Sequence, residues 1–210
     1  MNQYNIFPLF ASNFLVIEVN RDLDSNIQDL KKEKFYSTNQ QGSKNSQSSV
    51  NMQVLEKVPI LKKNILEEFN KYANEILCVD CEFEISKSWI TKIEKNSFSQ
   101  KHVHKNSFYS GVFYFDEYAN NSGQLELYTP LLYHSDFLIT PVNDNYTIHN
   151  SLTWKYSPQK NTLVFFPSYI EHRISENLQK SPRYSLAFNI VPTGRYGKGD
   201  SEIHANWEIS

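Results

Sequence analysis

The chain has 210 residues, 40% of them hydrophobic and 14% aromatic, and a net charge of −2. That length suits one domain with an N-terminal elaboration, and that apolar content supplies a packed core, so disorder is not the default. A near-neutral balance offers no basic stripe for nucleic acid, no apolar run approaches a membrane span, and the N-terminus has no signal-peptide pattern; the expected setting is the cytoplasm.

In chain order, residues 6–10 are a short apolar run around Pro8. Phe14 to Val19 is β-branched and apolar, which predicts a strand. Residues 21–34 predict a short helix with Ile27 and Leu30 on one side and Asp24 or Ser25 as its cap. Residues 37–53 are rich in Ser, Asn and Gln and read as a solvated loop that could also cap a substrate. From Pro59, apolar residues recur every three or four positions: Leu61, Ile65, Leu66, Phe69, Tyr72, Ile76 and Leu77. This predicts an amphipathic helix with Pro in its first turn, packed on the outside of a sheet.

Cys78 and Cys81 follow that helix. Their spacing could serve a redox pair or half a zinc site, but the pair closes a helix rather than opening one, and no second pair exists. They read as reduced thiols in a connection. From residue 82 the period becomes two. Strands are expected at 83–94, 108–115, 124–128, 146–149, 153–156, 162–166 and 183–191, separated by polar turns. Many short strands at this spacing predict an antiparallel jelly roll. The glycines Gly194, Gly197 and Gly199 make the tail a loop or loosely docked extension.

Two imidazoles, His102 and His104, stand two residues apart before a strand. In extended chain, side chains at i and i+2 point the same way, so the pair can aim at one metal ion. His172, just past the strand at 162–166, is the third candidate. Arg183 opens a strand in which Tyr184, Leu186, Phe188 and Ile190 form one face and Arg183, Ser185, Ala187 and Asn189 the other. Arg183 and Ser185 could grip a carboxylate there. His134, His149 and His204 fall in no ligand-spaced motif and read as ordinary histidines. Trp89 and Trp154 read as sheet aromatics, and Lys101 and Lys105 as rim charges.

These motifs carry a resemblance: His102-Val103-His104, Ser110-Gly111-Val112-Phe113-Tyr114, Gly123-Gln124-Leu125, Phe166-Pro167-Ser168 with His172, and Arg183 through Asn189. In order and spacing they resemble a family of 2-oxoglutarate/Fe(II)-dependent oxygenases found in marine bacteria and phages, over roughly residues 83–192. The resemblance implies a mainly β chain with flanking helices, built on a double-stranded β-helix of the jelly-roll, cupin-like kind. It divides the chain into an elaboration at 1–81, a catalytic core at 82–192 and a tail at 193–210. It implies Fe(II) on His102, His104 and His172, with 2-oxoglutarate as cosubstrate and O2 as oxidant. Arg183 would hold the distal carboxylate, helped by Ser185 and Tyr114, with Asn189 facing the same way. The reaction implied is hydroxylation of a C–H bond with release of succinate and CO2. The substrate would be a small molecule or a protein side chain, in a bacterium or an infected host cell, and a homodimer stays open.

The wider superfamily usually has a carboxylate two residues after the first His. His104 stands there in this chain, as is common in the resembling family. A neutral triad leaves the site one charge more positive. Alternatively only one of His102 and His104 binds, with Glu171 or Glu126 supplying a carboxylate. Two other readings of the whole stand beside the oxygenase: a catalytically silent jelly-roll binding module, and a cupin-like Zn or Mn enzyme. Neither explains Arg183.

Overall fold

The computed structural model describes residues 11–38, 46–131 and 142–208. Its strands in chain order are β1 (Leu15–Glu18), β2 (Phe35–Ser37), β3 (Gln47–Ser49), β4 (Glu82–Ile93), β5 (Tyr109–Tyr114) and β6 (Leu125–Tyr128). They continue as β7 (Thr153–Tyr156), β8 (Thr162–Pro167), β9 (His172–Ile174), β10 (Arg183–Tyr196) and β11 (Ile203–Ala205). A large sheet runs β1-β8-β5-β10-β4-β3-β2, with β11 added on β10, and a small sheet runs β7-β6-β9. All the named strand pairings are antiparallel, which gives the expected jelly roll.

The helix α1 (Pro59–Tyr72) covers the outer face of the large sheet. Pro59 sits in its first turn, where a missing N–H costs nothing. Phe69 is its central plug, with ring centroids 4.9 Å from Phe83, 5.2 Å from Tyr109 and 5.4 Å from Phe165. Phe83, Tyr109 and Phe165 come from β4, β5 and β8, so one helix residue ties three strands together. Strand β8 is buried at every position because both of its faces are covered. Leu163 and Phe165 meet the α1 side, while Val164 and Phe166 join a second cluster with Tyr114, Leu125, Leu127 and Ile170.

Gly111 on β5 lies directly opposite Phe188 of β10. A Cβ there would meet the Phe188 ring at 2.2 Å and the Val164 carbonyl oxygen at 2.8 Å. The ring is walled in by the core, so the added methyl forces a backbone or ring shift. Gly111→Ala is expected to lower stability by about 1–3 kcal/mol in urea denaturation.

Several sequence expectations change. Residues 21–34 form only a 3-10 turn at Ile27–Lys32, with no side-chain cap. Asp24 instead caps α1 from outside: its carboxylate accepts from the backbone N–H of Leu61 at 2.9 Å and of Ile60 at 3.3 Å. The polar stretch 37–53 contributes β3, whose serines are buried and bonded. The Ser49 hydroxyl accepts from Ile90 N–H at 3.0 Å and donates to the Asn51 carbonyl at 2.7 Å. Residues 39–45 and 6–10 lie outside the described residues.

After Tyr72 the helix widens into a π turn at Ala73–Leu77 and ends at Cys78, which is left-handed at φ 52°. The widened turn rotates the stripe, so Ile76 is exposed while Leu77 packs. Cys78 and Cys81 are both free. The expected strand at 146–149 is a turn, because side chains there capture the backbone. Thr147 N–H donates to Asn150 Oδ1 at 2.6 Å and the Ser151 hydroxyl to the Thr147 carbonyl at 2.6 Å. The tail is not loose: β10 runs on to Tyr196 and pairs with β11, and Trp207 Nε1 donates to the Pro192 carbonyl at 2.7 Å. No helix among the described residues is long and apolar enough to cross a membrane.

Candidate metal centre

His102 and His172 face each other across an antiparallel bridge, each N–H donating to the other's carbonyl at 3.0 Å. Directly opposed residues of such a pair project to the same face. His104, two residues on, is tied by its N–H to the Ser168 carbonyl at 3.1 Å. The three rings converge, with centroids 4.4 Å (His102–His172), 5.0 Å (His102–His104) and 5.0 Å (His104–His172) apart. One nitrogen of each lies within 4.8 Å of the others, a set that could hold a metal ion.

The tautomers suit this. The Nδ1 of His102 lies 2.8 Å from the Gln100 carbonyl, and the Nδ1 of His172 lies 2.9 Å from the Ile170 carbonyl. A carbonyl can only accept, so each Nδ1 carries the proton and each Nε2 keeps its lone pair for a metal. Phe166 packs its ring edge-on at 4.7 Å from His172, and Trp89 lies 5.4 Å from His104. Burial pushes the His172 pKa down to about 3, with His102 adding repulsion. Burial and the same neighbour push His104 down to about 4. Both stay neutral at physiological pH, as a metal ligand must.

The sign of the pH effect follows. Below about pH 6.5 the unfolded chain protonates these two histidines and the folded chain does not. Metal-free protein is therefore expected to lose stability as pH falls from about 6.5 towards about 4. Urea midpoints across that window measure it. His172→Gln should flatten the slope; an unchanged slope contradicts the assignment.

The two carboxylates considered as alternative ligands are engaged elsewhere. Glu126 is 5% exposed and accepts from Arg173 Nε at 2.6 Å and from the Tyr128 hydroxyl at 2.9 Å, with Lys155 at 3.5 Å. Burial pushes its pKa up, but these partners outweigh it and hold the carboxyl below the usual range. Glu171 is half exposed and pairs with Lys101 at 2.8 Å. Among the described residues, only the three histidines form such a cluster. His149 and His204 are exposed and outside it, and His134 lies outside the described residues.

The histidines line a cavity of about 440 Å³ between the sheets. Arg183, Ser185, Ala187 and Asn189 line it too, the alternating face expected of β10, while Leu186, Phe188 and Ile190 enter the α1 core. Arg183 is fully buried, at 0% exposure. Its Nη1 donates to the Ser185 hydroxyl at 3.1 Å, but Nε and Nη2 find no acceptor among the described residues. The guanidinium lies against Tyr114 and Tyr118, 5.5 Å and 5.7 Å from their ring centres. The buried Tyr114 hydroxyl also lacks a partner in hydrogen-bond geometry. Burial raises its pKa to about 12 against the pull of Arg183, so it stays a donor.

A buried cation with free donors beside a free phenol is costly unless an anion arrives. A dicarboxylic acid is the kind of anion that could meet that need, since Arg183 and the histidines line one cavity. Tyr118 escaped the sequence reading. It sits in the loop after β5, reaches back to donate to the Tyr184 carbonyl at 2.6 Å, and no periodicity marks it. Thr38, Ser46, Ser48 and Met52 from the polar stretch line the cavity, as an enclosing segment would. The insert at 130–145 is also expected from the sequence to help enclose the cavity; it is largely outside the described residues.

A protein-family model described as "Putative 2OG-Fe(II) oxygenase" matches residues 87–189, which carry all three histidines and Arg183. These residues are a 2-oxoglutarate/Fe(II) oxygenase core. The oxygenase core uses Fe(II), 2-oxoglutarate and O2, and the donor set here fits the first two. No curated protein matches the sequence. Among solved structures, the non-heme alpha ketoglutarate dependent carbocyclase SnoK from nogalamycin biosynthesis is 12% identical. It covers 90% of this chain and 84% of its own, with a TM-score of 0.61. HygX from Streptomyces hygroscopicus, crystallised with nickel and 2-oxoglutarate, is 12% identical over 87% of this chain and 84% of its own, with a TM-score of 0.55. An oxidoreductase of the 2OG-Fe(II) oxygenase family from Burkholderia pseudomallei is 12% identical over 79% and 77%, with a TM-score of 0.56. At these identities the likeness is one of fold, and it agrees with the jelly roll of the oxygenase described above.

Proposed function

We propose that this oxygenase hydroxylates a C–H bond of a small molecule or a protein side chain, with 2-oxoglutarate converted to succinate and CO2. The observation that carries this reading is the fully buried Arg183 with two unpaired donors, facing the same cavity as three convergent imidazoles. A silent binding module has no use for that arrangement.

His102, His104 and His172 would hold the iron through Nε2 of His102 and His172 and one ring nitrogen of His104. Bound iron would supply the chemistry for C–H attack, with O2 as the oxidant and the keto acid as the two-electron reductant that becomes succinate and CO2, which no side chain of this chain can provide. The chain's own residues do the rest. The Gln100 and Ile170 carbonyls hold two ligand rings in register by accepting their Nδ1–H protons. Arg183 takes the distal carboxylate of 2-oxoglutarate as a charge-assisted fork, with Ser185 steadying the guanidinium and Tyr114 donating its hydroxyl. Val112, Leu125, Phe166 and Ile174 form the apolar wall that limits water around the acid. We place this catalytic core at residues 82–192, between an N-terminal elaboration at 1–81 and a C-terminal tail at 193–210.

The test is consumption of 2-oxoglutarate by Fe(II)-loaded protein in air, followed as succinate. O2-dependent succinate formation supports the reading. Iron-loaded, folded protein that forms no succinate over an extended incubation contradicts it.

A further inference from the structure

Asn189 stands six positions after Arg183 along the inward row of β10. At about 3.3 Å per residue this is roughly 20 Å, far longer than a five-carbon diacid. Asn189 therefore cannot share the carboxylate held by Arg183, and its end of the cavity needs another occupant. Between the two ends lie Ala187 and, directly opposite it on β4, Trp89. Trp89 touches His104, so the histidine cluster stands over the middle of the row.

Asn189 pairs directly with Lys87 across the β10–β4 ladder, and both line the cavity. Opposed side chains of such a pair start about 5 Å apart on one face. The Asn189 amide is set by its neighbours. The Ser110 hydroxyl donates to Asn189 Oδ1 at 3.0 Å, and Ser168 Oγ lies 2.8 Å from Ser110 Oγ. Both serines are buried, at 2% and 0% exposure. With Oδ1 held, the Nδ2 donors point away from Ser110 and meet no acceptor among the described residues. Lys87 likewise has no carboxylate partner among the described residues. The other lysine of the cavity, Lys101, is already paired with Glu171 at 2.8 Å and lies 3.7 Å over the Tyr128 ring. Among the described residues, no Asp or Glu lines the cavity.

We propose that Lys87 and Asn189 form a carboxylate-binding subsite that anchors the acid group of the substrate, on the far side of the histidine cluster from Arg183. This inference rests on the oxygenase reading and names its substrate class: an organic acid, or the acid end of an amino acid or peptide. One ammonium and one amide N–H₂ match the two oxygens of a planar carboxylate. Trp89 gives the carbon chain a flat floor, and the small Ala187 side chain leaves room above it. An acid fixed at this end directs its carbon chain back over Trp89 towards His104, which places a C–H bond at the metal.

The test uses protein loaded with Ni(II), which does not turn over, and saturated with 2-oxoglutarate so that Arg183 is occupied. N-acetylglycine and N-acetylglycinamide, alike in size and different by one charge, are titrated by ligand-observed NMR. The acid is expected to bind about tenfold or more tightly than the amide. In Lys87→Met that preference should vanish; Lys87 is exposed, and an unchanged melting temperature confirms that the variant is folded. Equal affinity for acid and amide, no binding of the acid, or a preference that survives Lys87→Met overturns the subsite. Tighter binding of methyl phosphate than of N-acetylglycine overturns its assignment to carboxylates. If wild-type protein fails to bind 2-oxoglutarate itself, it is the oxygenase reading that has failed.

Discussion

Replacing Arg183 by Met is expected to weaken 2-oxoglutarate binding sharply, leave iron binding intact and leave the ligand-free protein as stable as before or more so. The first effect follows from removing one partner of a buried charge pair, which costs about 2–5 kcal/mol, or roughly 30-fold to 5,000-fold in Kd. The second follows from position. Arg183 opens β10, while the proposed iron ligands come from β9 and the segment before β5. The third follows from the free donors on a guanidinium that is 0% exposed. Without its anion that charge is a burden, and an apolar isostere relieves it by as much as about 4 kcal/mol. A merely structural arginine would behave oppositely, since its loss would destabilise the protein. Thermal denaturation of metal-free protein, beside a 2-oxoglutarate titration of the iron-loaded form, separates the two cases.

The second large effect is at the metal. His172→Ala and His104→Ala are each expected to weaken Fe(II) binding by more than about 100-fold, because even an outer partner of a ligand is worth about 10–100-fold. Glu171→Gln is the control. Glu171 is half exposed, bound to Lys101, and absent from the histidine cluster, so its loss should leave iron affinity unchanged. Equilibrium dialysis under nitrogen measures all three. If Glu171→Gln loses iron while His104→Ala keeps it, the shell is two histidines and a carboxylate. The geometry favours the three-histidine shell: His104 is within reach of the other two, and Glu126 is held by Arg173, Tyr128 and Lys155.

The legibility of this site in the sequence had a physical basis. Strand period two put His102 with His104, and Arg183 with Ser185, because adjacent alternate residues share a face whatever the sheet does next. What escaped depended on contacts distant in sequence. Asp24 looked like a local cap and instead caps α1 from across a loop. Tyr118 reaches Arg183 from a loop with no pattern. Strand β9 is three residues long, too short for a period, yet it carries His172. The serines of β3 looked like loop residues because their burial is compensated by hydrogen bonds that a sequence does not display. Residues 146–149 failed in the other direction: a β-branched, aromatic stretch lost its strand to the side chains of Thr147, Asn150 and Ser151.

Asn189 shows where pattern and distance part. The alternation correctly put it on the cavity face with Arg183. Only the unbroken pairing of β10 with β4 from Arg183 to Asn189 separates the two into opposite ends. That separation divides one polar row into two ends, the proposed 2-oxoglutarate and substrate positions, with the histidine cluster between them.

The most direct measurement of the central claim is an anaerobic titration of 2-oxoglutarate into Fe(II)-loaded protein, followed in the visible spectrum. A keto acid chelating iron gives a weak charge-transfer band. The account predicts this band in the wild-type protein, no band in His172→Ala at any concentration, and in Arg183→Met a band only at far higher 2-oxoglutarate. Wild-type protein that holds one equivalent of iron and shows no band with saturating 2-oxoglutarate contradicts it.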